Sequence, residues 1–259
     1  MSAPTFLMAL RLRRLSTGLT TLAMALVILM VGALFPAVGG SIGQLDLPEG
    51  VADLLGGADY GSITGWMRSE VGAVYGPLVL AAVGITAAVA STAREEEDGI
   101  LALTLAHPIT RSRLLLAKAA AVAVCVLAVA LGTFVGLVAG VAAAGGGIAT
   151  GDLAALALHL ACFGLALGAL ALALAATTGR AAVASGGAAA FGVVAFLVNG
   201  FAPLVHGIGW LRYLTPFHYC TGHDPIARGV DVGDLAVLLA SAVALTAVAV
   251  VGFARRDLR

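Results

Sequence analysis

Long apolar stretches alternate with short polar segments along the whole sequence. A helix needs about 20 mostly apolar residues to cross the hydrocarbon core of a membrane, and six stretches meet this requirement. They lack the period-two alternation of the strands of a membrane barrel, and they are too long for such strands. The pattern therefore predicts six transmembrane helices, over residues 18–38, 71–93, 117–144, 153–176, 182–205 and 235–253.

The composition supports this reading. Hydrophobic residues make up 61% of the chain and charged residues 11%, whereas soluble domains average about 45–50% and 25%. The formal net charge is zero and no long basic run occurs, so a partner nucleic acid is not expected. The predicted fold class is an all-α, polytopic membrane protein with a single transmembrane domain over residues 1–259.

Basic residues divide unequally between the two sets of loops, and this division predicts the orientation. The set expected to face the cytoplasm includes both termini and the segment 94–118. It contains Arg11, Arg13, Arg14, Arg94, Arg111, Arg113, Lys118, Arg180, Arg255, Arg256 and Arg259. The opposite set contains only Arg68, Arg212 and Arg228.

Residues 1–17, which precede the first span, mix leucines with arginines. This mixture is typical of a helix that lies in the membrane interface. An interfacial helix is therefore predicted there, with a plain positively charged flank as the alternative.

Glycines recur at intervals of four on two of the predicted spans. Spacing of this kind lets two helix backbones approach closely. The third and fourth spans, joined by the short turn GGGIATGD, are therefore expected to form a tight helical hairpin. The packing residues are predicted to be Gly132, Gly136, Gly140, Gly164 and Gly168.

Potential metal ligands occur close together in the last outer loop, which reads HYCTGHD. His218, Cys220 and His223 have the right chemistry, but their spacing matches no standard zinc motif. Metal binding by these three residues is left open, and no metal site is predicted. His159, near the start of the fourth span, is expected to be a helix-end histidine with satisfied hydrogen bonds.

The three cysteines do not form a disulfide framework. Cys125 and Cys162 lie inside predicted spans, while Cys220 lies alone in the last outer loop. A thiol reagent that cannot cross the membrane is therefore expected to label Cys220 alone.

Several functional classes conflict with the sequence. A P-loop requires lysine after glycine, but the single lysine, Lys118, follows Ala117. The run of acids from Glu95 to Asp98 lies at a predicted water boundary, unlike the buried glutamates of an intramembrane hydrolase. The spans contain no acidic or basic side chain at depth, which argues against ion-coupled transport. A structural or regulatory membrane protein remains an alternative, and an intramembrane hydrolase is a less favoured one.

Charge is concentrated in one segment. Eight charged side chains fall between Arg94 and Lys118, in a chain that has 28 acidic and basic residues. Within this segment an apolar helix is predicted over 100–105, and Thr110 is placed to cap the helix that follows. A short helix with charges at both ends has the shape of a docking element, although a solvated, positively charged loop is the alternative.

The order Glu-Glu-x-x-Gly, leucine-rich helix, Pro, Thr-Arg, leucines and Lys in this segment resembles the coupling region of type-2 ABC exporter permeases. The outer segments LPEGVADLLGG and LTPFHYCTGHDPIARGVD are also similar to six-span bacterial members. The resemblance implies a permease subunit in the bacterial cell membrane that exports an unidentified substrate and is not itself an enzyme. It also implies an outer loop, 205–233, that dips back into the bilayer.

The same resemblance implies the partners. Two copies of a separate ATPase subunit would bind ATP and Mg²⁺, a second permease copy would complete the transporter, and this chain would hold no cofactor. The apolar helix would fill a groove on the ATPase, with neighbouring charges setting its register. The residues assigned to this contact are Glu95, Glu96, Glu97, Gly99, Ile100, Leu101, Leu103, Leu105, Pro108, Arg111, Arg113 and Lys118.

Overall fold

The computed structural model describes residues 3–42, 61–105 and 109–256, and every regular element within these ranges is helical. The predicted Pro108 and the outer segment 47–57 lie outside the described residues. In chain order the elements are α1 (Ala3–Ile42), α2 (Ile63–Met67), a π-helix (Arg68–Tyr75), α3 (Gly76–Ala90), α4 (Ala93–Glu97), α5 (Ile100–Leu105), α6 (Arg111–Ala143), α7 (Thr150–Thr178), α8 (Ala181–Phe201), two 3₁₀ helices (Ala202–Leu204 and Gly209–Leu214), α9 (Pro216–Thr221), α10 (Pro225–Arg228) and α11 (Val232–Arg255).

Within the described residues, six helical segments are long and apolar enough to cross a membrane, which confirms the predicted number of spans. The second is the composite of α2, the π-helix, α3 and α4, and it runs over Ile63–Glu97. The others are formed by α1, α6, α7, α8 and α11. The prediction of an all-α, polytopic membrane protein is therefore confirmed.

The first span begins earlier than the sequence pattern indicates. Helix α1 is continuous from Ala3 to Ile42 and has no break near residue 17. Its first turns are rich in leucine, arginine, methionine and alanine, which are good helix formers, so they extend the helix of the span. Between Ala3 and Ile42 the chain thus forms one helix without a separate N-terminal segment, while an interfacial position for these turns stays a prediction.

Helix α7 lies at the centre of the bundle. Nineteen of its 29 residues are buried, and α3, α6, α8 and α11 all pack against it. It consists mainly of leucine, alanine and glycine around its whole circumference, as expected of a helix that is buried on every side. Helix α1 is peripheral and packs mainly on α6.

The predicted packing glycines lie at helix contacts, and most of their partners belong to helices other than the one expected. On α6, Cβ atoms at Gly132 and Gly136 would lie 2.6 Å from the carbonyl oxygen of Thr21 and 2.9 Å from Cα of Ala25, both in α1.

On α7, Gly168 packs against Gly84 of α3, and Gly164 packs against Leu80 of α3 and Val126 of α6. The glycine faces therefore join α6 to α1 and α7 to α3, rather than mainly joining α6 to α7. Gly140 likewise faces α1, at Ile28 and Gly32.

The second span is irregular in its first half. The π-helix ends just before Pro77, which lacks the N–H of a regular helix and would clash with a preceding carbonyl. The N–H of Gly76 instead bonds to the carbonyl of Val71, five residues earlier. The extra residue per turn accommodates the proline and keeps the span continuous.

The segment between α8 and α11 folds into short helices and reaches deep into the bundle. Phe217 of α9 is buried, with its ring centroid 4.7 Å from that of Phe163 and 5.5 Å from that of Phe196. Phe163 lies near the midpoint of α7. The segment thus packs at mid-depth of the bundle, while its re-entry into the bilayer stays a prediction.

Candidate functional site

Each glutamate of the acidic run Glu95–Glu97 contacts another part of the bundle. Glu95 accepts a hydrogen bond from Nζ of Lys118, at 2.6 Å, which joins the end of the second span to the start of the third. The Lys118 side chain is only 3% exposed. A buried ammonium group is costly unless it is paired, so this contact is needed to hold Lys118 inside the protein.

Glu96 forms the second contact. Its carboxylate is buried and pairs with the guanidinium of Arg256, at the end of the sixth span. Arg111 donates from Nη1 to the backbone carbonyl of Arg256 over 2.7 Å, which adds the start of α6. Gly179 ends α7 with a left-handed φ of 64°, and a Cβ there would collide with the Arg256 guanidinium.

Glu97 forms the third contact. Its Oε1 accepts a hydrogen bond of 2.8 Å from the backbone N–H of Ala181, the first residue of α8. A carboxylate at this position satisfies one of the unpaired N–H groups and interacts favourably with the helix dipole. Three consecutive glutamates therefore connect the second span to the third, sixth and fifth spans.

We refer to these connected residues as the charged end of the bundle. It comprises Glu95, Glu96, Glu97, Arg111, Lys118 and Arg256.

Helix α5 projects from the charged end. Gly99 adopts a left-handed φ of 72° that turns the chain from α4 into α5. Leu101 is buried and anchors the helix, while Ile100 is 43% and Leu103 72% exposed. Leu105 is partly buried against the core. The short helix therefore has one anchored face and one exposed apolar face.

The prediction for this segment is met only in part. Helix α5 and the cap at Thr110, which accepts from the N–H of Arg113, occur as predicted. Five of the charged residues assigned to the ATPase contact instead bond within the chain, namely Glu95, Glu96, Glu97, Arg111 and Lys118, although Glu97 is exposed. Leu101, also assigned to that contact, is buried. Arg113 is exposed, as its predicted role requires.

Sequence reasoning missed Arg256 and the start of α8. The basic pair after the last apolar stretch is a signal that could have pointed to Arg256, because basic residues there face the same end as the acidic run. Nothing in the local sequence indicates that Glu96 pairs with a residue 160 positions away.

The opposite end contains the HYCTGHD motif, and its three potential ligands do not converge. Cys220 is fully buried, and burial raises the pKa of its thiol. His218 packs between the rings of Tyr213 and Tyr219, at 4.6 and 5.2 Å between centroids. Burial and the Arg212 guanidinium lower the pKa of His218.

The Nδ1 of His223, the third potential ligand, instead lies 3.6 Å from Oδ2 of Asp231. The expectation that a thiol reagent labels Cys220 is wrong, because its side chain is fully buried.

A comparison with known families extends these observations to the whole bundle. The profile of the family described as "Multidrug efflux system permease Rv1217c, C-terminal domain" matches residues 3–254, which include the six spans up to the last residue of the sixth and every residue of the charged end except Arg256. A search of curated proteins finds no matching relative. The chain therefore belongs to this family of multidrug efflux permeases, and it is a multi-pass membrane protein with the role of a transport permease.

Proposed function

We propose that this chain is the membrane subunit of an ATP-driven exporter and that a separate ATPase docks on its α5 helix. The charged end faces the cytoplasm of a bacterial cell membrane in this proposal. The excess of basic residues on the same loops supports that orientation. ATP and Mg²⁺ are bound by the ATPase, and this chain supplies the path for the substrate.

The observation that carries the proposal is the exposed apolar face of α5. Ile100 and Leu103 are exposed beside the charged end, which the proposed orientation places in water, where no lipid would cover an apolar surface. Exposed apolar residues rimmed by charge are typical of protein interfaces. Arg94, Asp98 and Arg113 are exposed close by in the sequence and supply the polar rim.

The charged end gives this docking surface a mechanical connection to the spans. Helix α4 is joined to α5 through Gly99, and its glutamates contact α6, α8 and the end of α11. A displacement of α5 by the ATPase is therefore transmitted to four spans together. The three glutamates transmit this displacement to the spans, while Ile100 and Leu103 contact the ATPase.

The remaining subunits follow from the family resemblance. Two copies of the ATPase and a second permease copy, identical or homologous, complete the exporter. The substrate path lies between the two permeases, and the substrate belongs to the wide range of compounds that such exporters carry.

The docking surface is tested by the Leu103→Asp substitution. Because Leu103 is exposed, the variant should insert and fold normally, while a charge in an apolar interface should weaken ATPase retention at least about tenfold. The matched control is Leu204→Asp, which changes a 44% exposed leucine at the opposite end. Copurification of the ATPase and ATP-dependent transport in proteoliposomes are measured for both variants.

Two outcomes would contradict different parts of the proposal. Equal ATPase retention in both variants would show that α5 is not the docking surface. Transport without any copurifying ATPase in the unmodified protein would contradict the ATP-driven mechanism and would favour another type of permease.

A further inference from the structure

The surface of the bundle carries a long groove between the first and third spans. It has a volume of about 600 Å³ and lies between residues 10–25 of α1 and residues 124–135 of α6. Leu22, Leu131 and Val135 line it, and each is more than half exposed. Because both helices are membrane spans, an exposed apolar face on them lies against lipid or against another membrane protein. We call this feature the α1–α6 groove.

The hydroxyl groups on the floor of the α1–α6 groove are already used in hydrogen bonds within the protein. Thr17 donates to Sγ of Cys125 at 3.4 Å, and Thr21 donates to the carbonyl oxygen of Thr17 at 2.8 Å. Gly18 also lines the groove, and a Cβ atom there would meet no other atom within 4 Å. The groove is therefore open and mostly apolar, which suits a hydrocarbon chain.

The N-terminal end of the groove is basic. Arg14 lines it, is exposed, and makes no hydrogen bond or ion pair with the described residues. Arg11 is likewise exposed and lies one turn earlier on the same side of α1. The third arginine, Arg13, instead donates from Nη2 to the carbonyl oxygen of Thr86 at 2.9 Å. Two cationic side chains beside the groove thus lack a countercharge within the described part of the chain.

The groove has the length of one membrane leaflet. Helix α1 contains no charged residue after Arg14, so this arginine marks the level at which the span leaves the headgroups. From Arg14 to Ala25 the helix rises about 16 Å, at 1.5 Å per residue. One leaflet contributes about 15 Å of hydrocarbon, which is half of the membrane core. The groove therefore runs from the headgroups to the bilayer centre, as an acyl chain does.

We propose that the α1–α6 groove binds an anionic phospholipid, with one acyl chain along the groove and the lipid phosphate against the guanidinium of Arg14. The planar guanidinium group matches a phosphate with two parallel hydrogen bonds. Basic pockets between spans on the cytoplasmic side are typical headgroup sites, and the cytoplasmic leaflet is the one rich in anionic lipids. The choice of this leaflet rests on the orientation given in the proposed function.

A second copy of this chain fits the groove less well than a lipid. In a two-fold symmetric contact the same surface of both copies meets. Such a contact on this face would bring Arg11 and Arg14 of one copy close to the same residues of the other, and like charges in an interface are unfavourable. Helix α1 is peripheral and packs mainly on α6, so a lipid held by both helices would strengthen the attachment of the first span to the bundle.

The proposal is tested on the purified full chain in detergent, to which phosphatidylglycerol or phosphatidylcholine with the same acyl chains is added. Native mass spectrometry measures the lipid retained per chain, and the thermal unfolding midpoint measures the stabilisation. We expect one phosphatidylglycerol to be retained per chain and to raise the midpoint more than phosphatidylcholine does. Inorganic phosphate should not raise the midpoint, because it leaves the apolar groove empty.

The headgroup contact is tested by the Arg14→Gln substitution. This variant should lower the retention of phosphatidylglycerol about tenfold, as expected for the loss of a charge-assisted hydrogen bond, and should leave that of phosphatidylcholine unchanged. Arg255→Gln is the matched control, because Arg255 is exposed at the end of α11 but lies outside the groove.

The acyl-chain contact is tested by Gly18→Leu. The open space at Gly18 accepts the leucine side chain, and leucine favours a helix more than glycine does, so the variant should fold. Because the new side chain fills the groove, the retention of phosphatidylglycerol should fall as strongly as in Arg14→Gln. Gly186→Leu is the matched control, since Gly186 has equally open space in another span.

Three results would overturn the proposal. The first is equal retention of phosphatidylglycerol in Arg14→Gln and Arg255→Gln, and the second is an equal rise of the midpoint with inorganic phosphate, which would indicate a free anion. The third is a loss of dimer in Gly18→Leu with unchanged lipid retention, which would assign the groove to a second permease copy. None of these measurements involves the ATPase, so such a result would leave the proposed function standing.

Discussion

At the scale of single residues, Lys118 has the most demanding environment. Its ammonium group is almost completely buried at the start of α6, with Glu95 as its direct partner. The two side chains neutralise each other where the second and third spans meet the charged end. The stability of this junction therefore depends on both charges being present together.

The substitution Glu95→Gln should destabilise the protein strongly, because it leaves a buried ammonium group without a countercharge. Loss of one partner of a buried ion pair costs about 3 kcal/mol or more. The double variant Glu95→Gln/Lys118→Met should recover most of that loss, since it removes both charges and retains similar volumes. Equilibrium unfolding in detergent measures the free energy of unfolding of each variant.

The matched control is Arg94→Gln, which removes an exposed charge from the neighbouring position. Its effect should stay within about 0.5 kcal/mol, as for most surface substitutions. If the Glu95→Gln variant were as stable as the unmodified protein, the burial of Lys118 would not depend on its pairing with Glu95.

At the scale of helices, the contact between α3 and α7 sets how closely the second and fourth spans approach. Gly84 faces Gly168, so that a Cβ at Gly84 would lie 3.1 Å from Cα of Gly168 and would collide with the carbonyl of Gly164. Backbone atoms are the obstacle, and they cannot move aside as a flexible side chain would.

The Gly84→Val substitution should therefore separate α3 from α7 and lower the free energy of unfolding by about 1–3 kcal/mol, the usual range for overpacking. Gly186→Val is the matched control, because Gly186 also lies within a span but has open space around its Cβ position. A comparison of their thermal unfolding midpoints measures the effect. Equal midpoints would contradict the close helix contact.

The glycine pattern shows what sequence can and cannot specify about helix packing. Spacing at intervals of four correctly predicted that Gly132 and Gly136 allow a close helix approach. It could not identify α1 as the partner, because small residues make any helix surface approachable and the partner is chosen by shape across the whole bundle. The π-helix was not predicted either, because a proline such as Pro77 is equally compatible with a kink in the helix.

At the scale of the whole molecule, the six spans were predictable because transfer into lipid depends on local composition. The contacts of the charged end were not, because the partners of Glu96 and Glu97 lie 160 and 84 residues away. The sequence identified Glu95–Glu97 as unusual, but it suggested contacts with another protein instead of contacts among spans. Helix α5 itself was predicted from one short apolar segment, but the sequence did not distinguish its exposed residues, Ile100 and Leu103, from the buried Leu101.

The proposed orientation can be tested with single introduced cysteines, because the native Cys220 should not react with the labelling reagent. Its thiol is fully buried, and burial raises its pKa, so the reactive thiolate is scarce and inaccessible. In intact cells a membrane-impermeant maleimide should label the Ala227→Cys variant but not Asp98→Cys, since these exposed positions lie at opposite ends.

After the membrane is permeabilised, both introduced cysteines should react while the unmodified protein remains unlabelled. Labelling of Asp98→Cys in intact cells would reverse the proposed orientation. Rapid labelling of the unmodified protein would instead contradict the burial of Cys220.

The contacts of the charged end also impose an order on biosynthesis. Glu95 and Lys118 are only 23 residues apart, so the ribosome delivers both within one helical hairpin, and their charges can neutralise each other as the third span enters the membrane. Glu96 must wait for Arg256, which is made after the sixth span. During that interval its carboxylate has no cation from the last span, and nascent chains halted after five spans therefore retain an unpaired acid at their membrane boundary. A membrane quality-control protease that recognises such a group would distinguish these unfinished chains from the folded permease.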